Sequence, residues 1–236
     1  MSNSLMTLEL TKSPISEAYR TLRTNIQFVS VESGIKKIMI TSACPKEGKS
    51  FTVANLAVCM AQSGKSVLVV DADLRKPTQH KFFGVENGEG LSVALTEIQG
   101  LNPDFKSYIR ETDVPGVRVI TAGPIPPNPA ELLGSKLMKH IVEVLSEQVD
   151  VLIFDTPPIL SVTDAAILAQ EVDGVILVLA SGKVKKDYAK RAKELLDQVG
   201  AKILGAVLNK VKVETSEYYY NYYEGSDKPR KRHHHP

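Results

Sequence analysis

Ala43-Cys44-Pro45-Lys46-Glu47-Gly48-Lys49-Ser50 is the stretch that decides how this chain folds. An apolar run, Ile38-Met39-Ile40, leads into it, and an alanine-rich, helix-favouring run over residues 53–62 leaves it. Strand, tight loop and helix in that order are what a phosphate-binding loop requires. Free backbone N–H groups at the start of the helix, with the positive end of its dipole, cradle phosphate oxygens. Lys49 is then placed to reach the β and γ phosphates, and Ser50 to ligate Mg2+. With Phe51 next in the helix, residues 43–51 form the expected nucleotide-binding segment. One position departs from the pattern, because the usual first glycine is Ala43.

Length and composition set the frame around that loop. At 236 residues the chain suits one α/β domain with a well-buried core rather than two domains. Hydrophobic residues at 43% and charged residues at 24% are ordinary for a soluble globular protein. With a net charge of +2, and basic residues scattered except for Lys228, Arg230, Lys231 and Arg232, no nucleic-acid platform is expected. That basic end permits a weak attraction to an anionic membrane surface. Two cysteines, Cys44 and Cys59, make no disulfide framework and fit a reducing cytosol. No apolar run approaches the roughly 18 residues of a membrane span, and no signal-peptide stretch opens the chain. Membrane association is therefore expected only through a partner.

Along the chain, residues 1–12 are polar and unpatterned, and then Ser13-Pro14 offers a helix cap followed by proline at the first helical position. The helix expected to about residue 29 carries Glu17, Arg20 and Arg23 along one side, as a solvated face or as a grip on a neighbouring subunit. Residues 67–70 predict a buried parallel strand running into Asp71-Ala72-Asp73-Leu74-Arg75-Lys76-Pro77. Two carboxylates at a strand's carboxyl end fall where ligands bind in open α/β sheets. If both were extended they would face one side, against a cation or a substrate hydroxyl. Residues 78–116 are less regular, and Asn128 is placed to cap a short helix over 129–133 before a longer one over 136–147. Residues 151–155 predict another buried strand ending in Asp155, the place of a second Mg2+-holding carboxylate in nucleotide hydrolases. A helix over 164–172, a strand over 175–179, a helix over 183–199 and a strand over 203–208 complete a doubly wound, mostly parallel α/β sheet of the P-loop NTPase kind. Asn209 closes the last strand, either as a turn residue or as an amide that reads the nucleotide base.

The tail then changes character. Tyr218, Tyr219, Tyr220, Tyr222 and Tyr223 place five of the chain's eight tyrosines within six positions, matching neither strand nor helix periodicity. A flexible, exposed segment is expected there, and the chain divides into an N-terminal segment and helix (1–33), the P-loop domain (34–213) and a tyrosine-rich basic tail (214–236).

Together, these features resemble the bacterial tyrosine kinases, the cytoplasmic kinases of capsular and exopolysaccharide synthesis. The likeness runs from about Ser13 to Tyr223 and rests on Glu17, Arg20 and Arg23, on residues 45–50 and 70–77, on 123–133 and on Phe154-Asp155-Thr156-Pro157-Pro158. Ala43 in place of glycine is usual in that family. The resemblance implies a ring-like homo-oligomer joined through Glu17, Arg20 and Arg23, with the tail of one subunit phosphorylated in the site of the next. It also implies activation by the cytoplasmic segment of a transmembrane adaptor, recruitment to the inner face of the membrane, protein substrates, and a tyrosine phosphatase as counterpart. ATP and Mg2+ are the expected cofactors, with Ser50, Asp73 and Asp155 holding the metal and Asp71 orienting or deprotonating the tyrosine, roles that Asp71 and Asp73 could exchange. The alternative is a partitioning or septum-positioning ATPase switch. Those proteins carry an extra lysine five residues before the main one, where this chain has Cys44, with Lys46 offset. A non-catalytic scaffold with a phosphorylated tail is a third reading.

Overall fold

The computed structural model describes residues 5–97 and 105–211. Within them the elements are α1 (Met6–Glu9), α2 (Pro14–Ser33), β1 (Lys37–Ser42), α3 (Lys49–Ala61), β2 (Val67–Asp71), α4 (Gln79–Phe83) and α5 (Leu91–Glu97). After a 3-10 turn (Phe105–Tyr108) come β3 (Arg110–Glu111), β4 (Val117–Ile120), α6 (Pro129–Leu133), α7 (Lys136–Glu147) and β5 (Val151–Asp155). The described part ends with α8 (Asp164–Leu168), β6 (Gly174–Ala180), α9 (Lys186–Gln198) and β7 (Ile203–Asn209).

The inner strands are apolar at consecutive positions, which suits burial on both faces of a parallel sheet. Side chains alternate along a strand, so each run feeds two layers. Ile38, Ile40, Val67, Val69 and Ile153 join one core with Tyr19 and Ile26 of α2 and Val53, Leu56 and Met60 of α3. Met39, Leu68, Val70, Leu152 and Phe154 join the other with Met138, Ile141 and Leu145 of α7, Leu168 of α8 and Leu196 of α9. The described strands form a seven-stranded sheet in the order β3-β4-β2-β5-β1-β6-β7. All pair in parallel except the short edge strand β3, which runs antiparallel to β4. The doubly wound architecture is therefore as expected.

Several local expectations need correction. Residues 6–9 are helical rather than unpatterned, and a side chain far along the chain docks them. Asn55 Oδ1 accepts from the Thr7 N–H at 3.0 Å and from its hydroxyl at 3.2 Å, while Gln62 Nε2 donates to the Thr7 carbonyl at 3.2 Å. The Ser13 cap is in place, accepting from the Ser16 N–H at 3.1 Å, but α2 runs on past residue 29. It stops only where Gly34 turns left-handed at φ 62°. Helix α8 ends at Leu168, short of residue 172, and Asp173 instead accepts the Lys36 and Lys37 N–H groups at 2.8 and 2.7 Å beside the start of β6. Asn128 precedes α6 but does not cap it through its side chain, which donates to Glu131 Oε2 at 2.7 Å. Strand β3 was not foreseen. No helix among the described residues is long and apolar enough to cross a membrane.

What this architecture supplies to the site is the carboxyl ends of three adjacent central strands, β2, β5 and β1. Asp71 is the register partner of Asp155, and Ile40 is partner to Asp155 on the other side. Ligands of open α/β sheets bind at such an edge. For the docked N-terminus, Asn55→Ala removes the acceptor of a buried N–H and should cost about 1–3 kcal/mol in denaturant unfolding. An unchanged midpoint would mean that α1 is held by apolar contact alone.

Candidate functional site

The loop between β1 and α3 is shaped by its own residues and by β6 and β7. Gly48 caps α3 at φ 98°, and a Cβ there would lie 2.0 Å from Asn209 Nδ2, so only glycine fits both the turn and the close approach. Glu47 is buried, with one oxygen accepting from the Cys44 N–H at 2.7 Å and the other from the Ala180 N–H at 3.2 Å. It thus ties the loop to itself and to the end of β6. Ala43, the departure from the glycine pattern, is fully buried within the core beneath the loop. Asn209 is also at the loop: its amide donates to the Glu47 carbonyl at 2.9 Å and accepts from the Lys210 N–H at 2.8 Å. The Lys210 ammonium donates to the Lys46 carbonyl. Cys44, Pro45, Lys46 and Glu47 lie in the loop, whereas the clasp that holds it joins residues far apart in the chain and has no local sequence signal.

At the start of α3, the Lys49 ammonium stands 2.7 Å from Asp73 Oδ2, 3.2 Å from Asp155 Oδ1 and 3.1 Å from Ser50 Oγ. Burial alone would lower the Lys49 pKa, but the Asp155 and Asp73 carboxylates outweigh it and hold the ammonium above its ordinary value. The three oxygens expected to hold a metal therefore already surround a cation. Among the described residues no three His, Cys, Asp or Glu side chains form a metal cage. A serine hydroxyl with two carboxylates instead suits a hard divalent cation that takes its other oxygens from water and phosphate.

Asp71 and Asp73 do not face one way, because β2 ends at Asp71. Asp73 turns to Lys49, whereas Asp71 is fully buried and accepts from the Thr78 and Gln79 N–H groups, each at 2.9 Å, and from the Asp73 N–H at 3.3 Å. Burial, then the nearby Asp155 charge, pushes the Asp71 pKa up to about 8, against the pull of the Gln79 amide and Lys49. Two further residues went unforeseen. Gln79 Nε2 donates to Asp155 Oδ2 at 2.7 Å and to the Ser50 carbonyl at 3.1 Å. Arg75 grips buried Asp164 with two bonds of 2.9 and 3.0 Å, pinning the segment after β2 to α8. Neither pairing has a local signal, since the partners lie far apart in the chain.

The N-terminal charges divide. Glu17 and Arg20 pair at 2.8 Å on an exposed face, where Arg20 also donates to the Thr11 carbonyl. Arg23 turns inward and donates to the Cys59 carbonyl at 3.2 Å. The tyrosines at 218, 219, 220, 222 and 223 lie outside the described residues.

Similarities to known proteins fit this geometry. A family profile described as ParA, NUBPL iron-transfer P-loop NTPase, matches residues 34–224. The tyrosine-protein kinase YwqD of Bacillus subtilis strain 168 is 49% identical over 221 residues, 93% of this chain and 92% of YwqD. The kinase domain of Escherichia coli tyrosine kinase ETK superposes with a TM-score of 0.84 at 37% identity, over 90% of this chain and 82% of that one. The chimerical protein CapA2B2 superposes with a TM-score of 0.83 at 42% identity, over 89% and 91% of the two chains. Nucleotide binding follows from the P-loop family, and likeness of this degree along almost the whole chain goes further: it belongs to the bacterial tyrosine-protein kinases.

Proposed function

We propose that this protein-tyrosine kinase uses ATP and Mg2+ to phosphorylate the tyrosine cluster at residues 218–223 of a neighbouring copy. The observation that carries this reading is the Lys49 ammonium enclosed by Ser50, Asp73 and Asp155 at the mouth of the phosphate loop. When ATP binds, the loop N–H groups and Lys49 take its phosphates; Ser50, Asp73 and Asp155 would hold Mg2+, which would supply positive charge to offset that of the phosphates. The tyrosine oxygen attacks the γ phosphorus, the bond to the bridging oxygen breaks, and ADP leaves. Asp71 orients the hydroxyl and accepts its proton. A tyrosine hydroxyl has an unperturbed pKa of about 10, so an aspartate is a poor base for it unless metal charge lowers that value, and positioning by Asp71 matters more than proton removal.

The acceptor reaches the site from another subunit of a ring-like homo-oligomer that uses Glu17, Arg20 and Arg23 of α2. The exposed Glu17–Arg20 pair is available to a neighbour, and Arg23 contributes by fixing α2 against α3. The cytoplasmic segment of a transmembrane adaptor switches the kinase on at the inner face of the membrane. Capsule or exopolysaccharide synthesis is the process regulated, with other protein substrates and an opposing tyrosine phosphatase. Each added phosphate carries about −1.5 to −2 charges, so phosphorylated tails repel one another and the acidic site, which opens the ring. Cys44, at the position of the extra lysine of partitioning ATPases, and 49% identity to a tyrosine kinase weigh against the switch reading.

Lys49→Ala should reduce anti-phosphotyrosine labelling with MgATP by about 100- to 1,000-fold, measured with the adaptor segment present. ATP hydrolysis without labelling in the parent would favour the switch instead. For Asp71, the folded pKa lies above the unfolded value of 3.8, so its stabilising contribution is complete below that value and is lost as pH rises to about 8. In nucleotide- and metal-free protein, Asp71→Asn should therefore raise the melting temperature more at about pH 9 than at about pH 5. An equal effect at both would count against a buried charge. Arg20→Glu should abolish the ring in light scattering while leaving the melting temperature unchanged, and an intact ring would remove Arg20 from the interface.

A further inference from the structure

We infer that Gln79 is a positioning residue for the cation of the phosphoryl-transfer site, acting through Asp155 and through water on the cation. The inference rests on the reading of Ser50 and Asp155 as metal-holding groups. Gln79 is fully buried at the start of α4 and meets three parts of the site at once. Its backbone N–H goes to Asp71 Oδ2 at 2.9 Å, and its side-chain amide nitrogen to Asp155 Oδ2 at 2.7 Å and the Ser50 carbonyl at 3.1 Å. Asp155 thus has one oxygen held by Gln79 and the other by Lys49.

The orientation of that amide follows from its partners. Both are acceptors, so only the NH2 end can face them, and a flipped amide would set oxygen against oxygen. Its other end, Oε1, is then buried without any hydrogen-bond partner. Buried polar groups are seldom left so, and one that is calls for an explanation such as an ion or water. The missing partner must be a donor. The Lys49 ammonium is engaged with Asp73, Asp155 and Ser50, whereas a water bound to a divalent cation presents only its hydrogens outward. Gln79 therefore fixes the direction of a metal-holding carboxylate and accepts from a water on the same cation. Outer partners of this kind typically change metal affinity by about 10- to 100-fold when lost.

The test uses the full chain with ADP and Mn2+, followed by electron paramagnetic resonance, alongside affinity for a fluorescent ADP in chelator. Gln79→Met keeps the length of the side chain but removes both amide ends. It should weaken Mn2+ binding by about 10- to 100-fold while metal-free ADP affinity stays within about twofold of the parent. Mn2+ affinity within about twofold of the parent would overturn the inference, as would a parallel loss of metal-free ADP binding, which marks a merely structural role. Should Gln79→Met not fold, Gln79→Asn, one methylene shorter, is judged by the same two measurements. Asp155→Asn separates the two claims. If it leaves Mn2+ binding intact, the metal reading of Asp155 fails and the inference with it; if it weakens binding while Gln79→Met does not, the inference alone fails.

Discussion

The enclosure of one ammonium by two carboxylates at the carboxyl edge of the sheet is the constraint around which this molecule is built. Lys49 belongs to the first turn of α3, Asp73 to the segment after β2, and Asp155 to the end of β5. These are separated in sequence and meet only because β2, β5 and β1 lie side by side. Each partner satisfies a charge that would otherwise be costly to bury. The same arrangement keeps two carboxylates at the mouth of the phosphate loop. Stability without nucleotide and readiness for nucleotide thus draw on the same groups.

The phosphate loop depends on contacts that arrive from the far side of the sheet. Glu47 spends both oxygens on backbone N–H groups, one within the loop and one on β6, while Asn209 and Lys210 hold loop carbonyls from the end of β7. A loop fixed in this way loses less conformational freedom when phosphates bind, which is the physical content of preorganisation. Lys46 at φ 66° is a non-glycine residue held in the left-handed region, and the clasp from Lys210 is attached at its carbonyl.

Much of this was legible in the sequence, for identifiable reasons. The apolar runs ending in Asp71 and Asp155 and the Gly48-Lys49-Ser50 turn are local patterns, and local patterns specify strands, turns and the residues at their ends. The parallel, doubly wound architecture followed from alternating strands and helices, whereas the order of the strands in the sheet carries no local signal. What escaped depends on contacts between distant residues: Thr7 with Asn55, Arg75 with Asp164, and Gln79 with Asp155. Asn209 shows the intermediate case, since its place beside the nucleotide loop was foreseen while its partner was not. The condition under which Asp71 and Asp73 would share a face is not met, because the strand stops between them, a boundary that the carboxylate spacing does not encode.

The register pairing of Asp71 with Asp155 has a consequence for how the site is lost. Both residues end strands whose other side chains form the two core layers, so a slip of one residue would exchange side chains between the layers and disrupt the packing of both. The relative placement of these two carboxylates therefore rests on the paired central strands, and core strands open at the highest free energies. Fraying at the edge strand β3 or undocking of α1 leaves it untouched. The spacing of Asp71 and Asp155 is thus set by the same strand pairing that holds the sheet together.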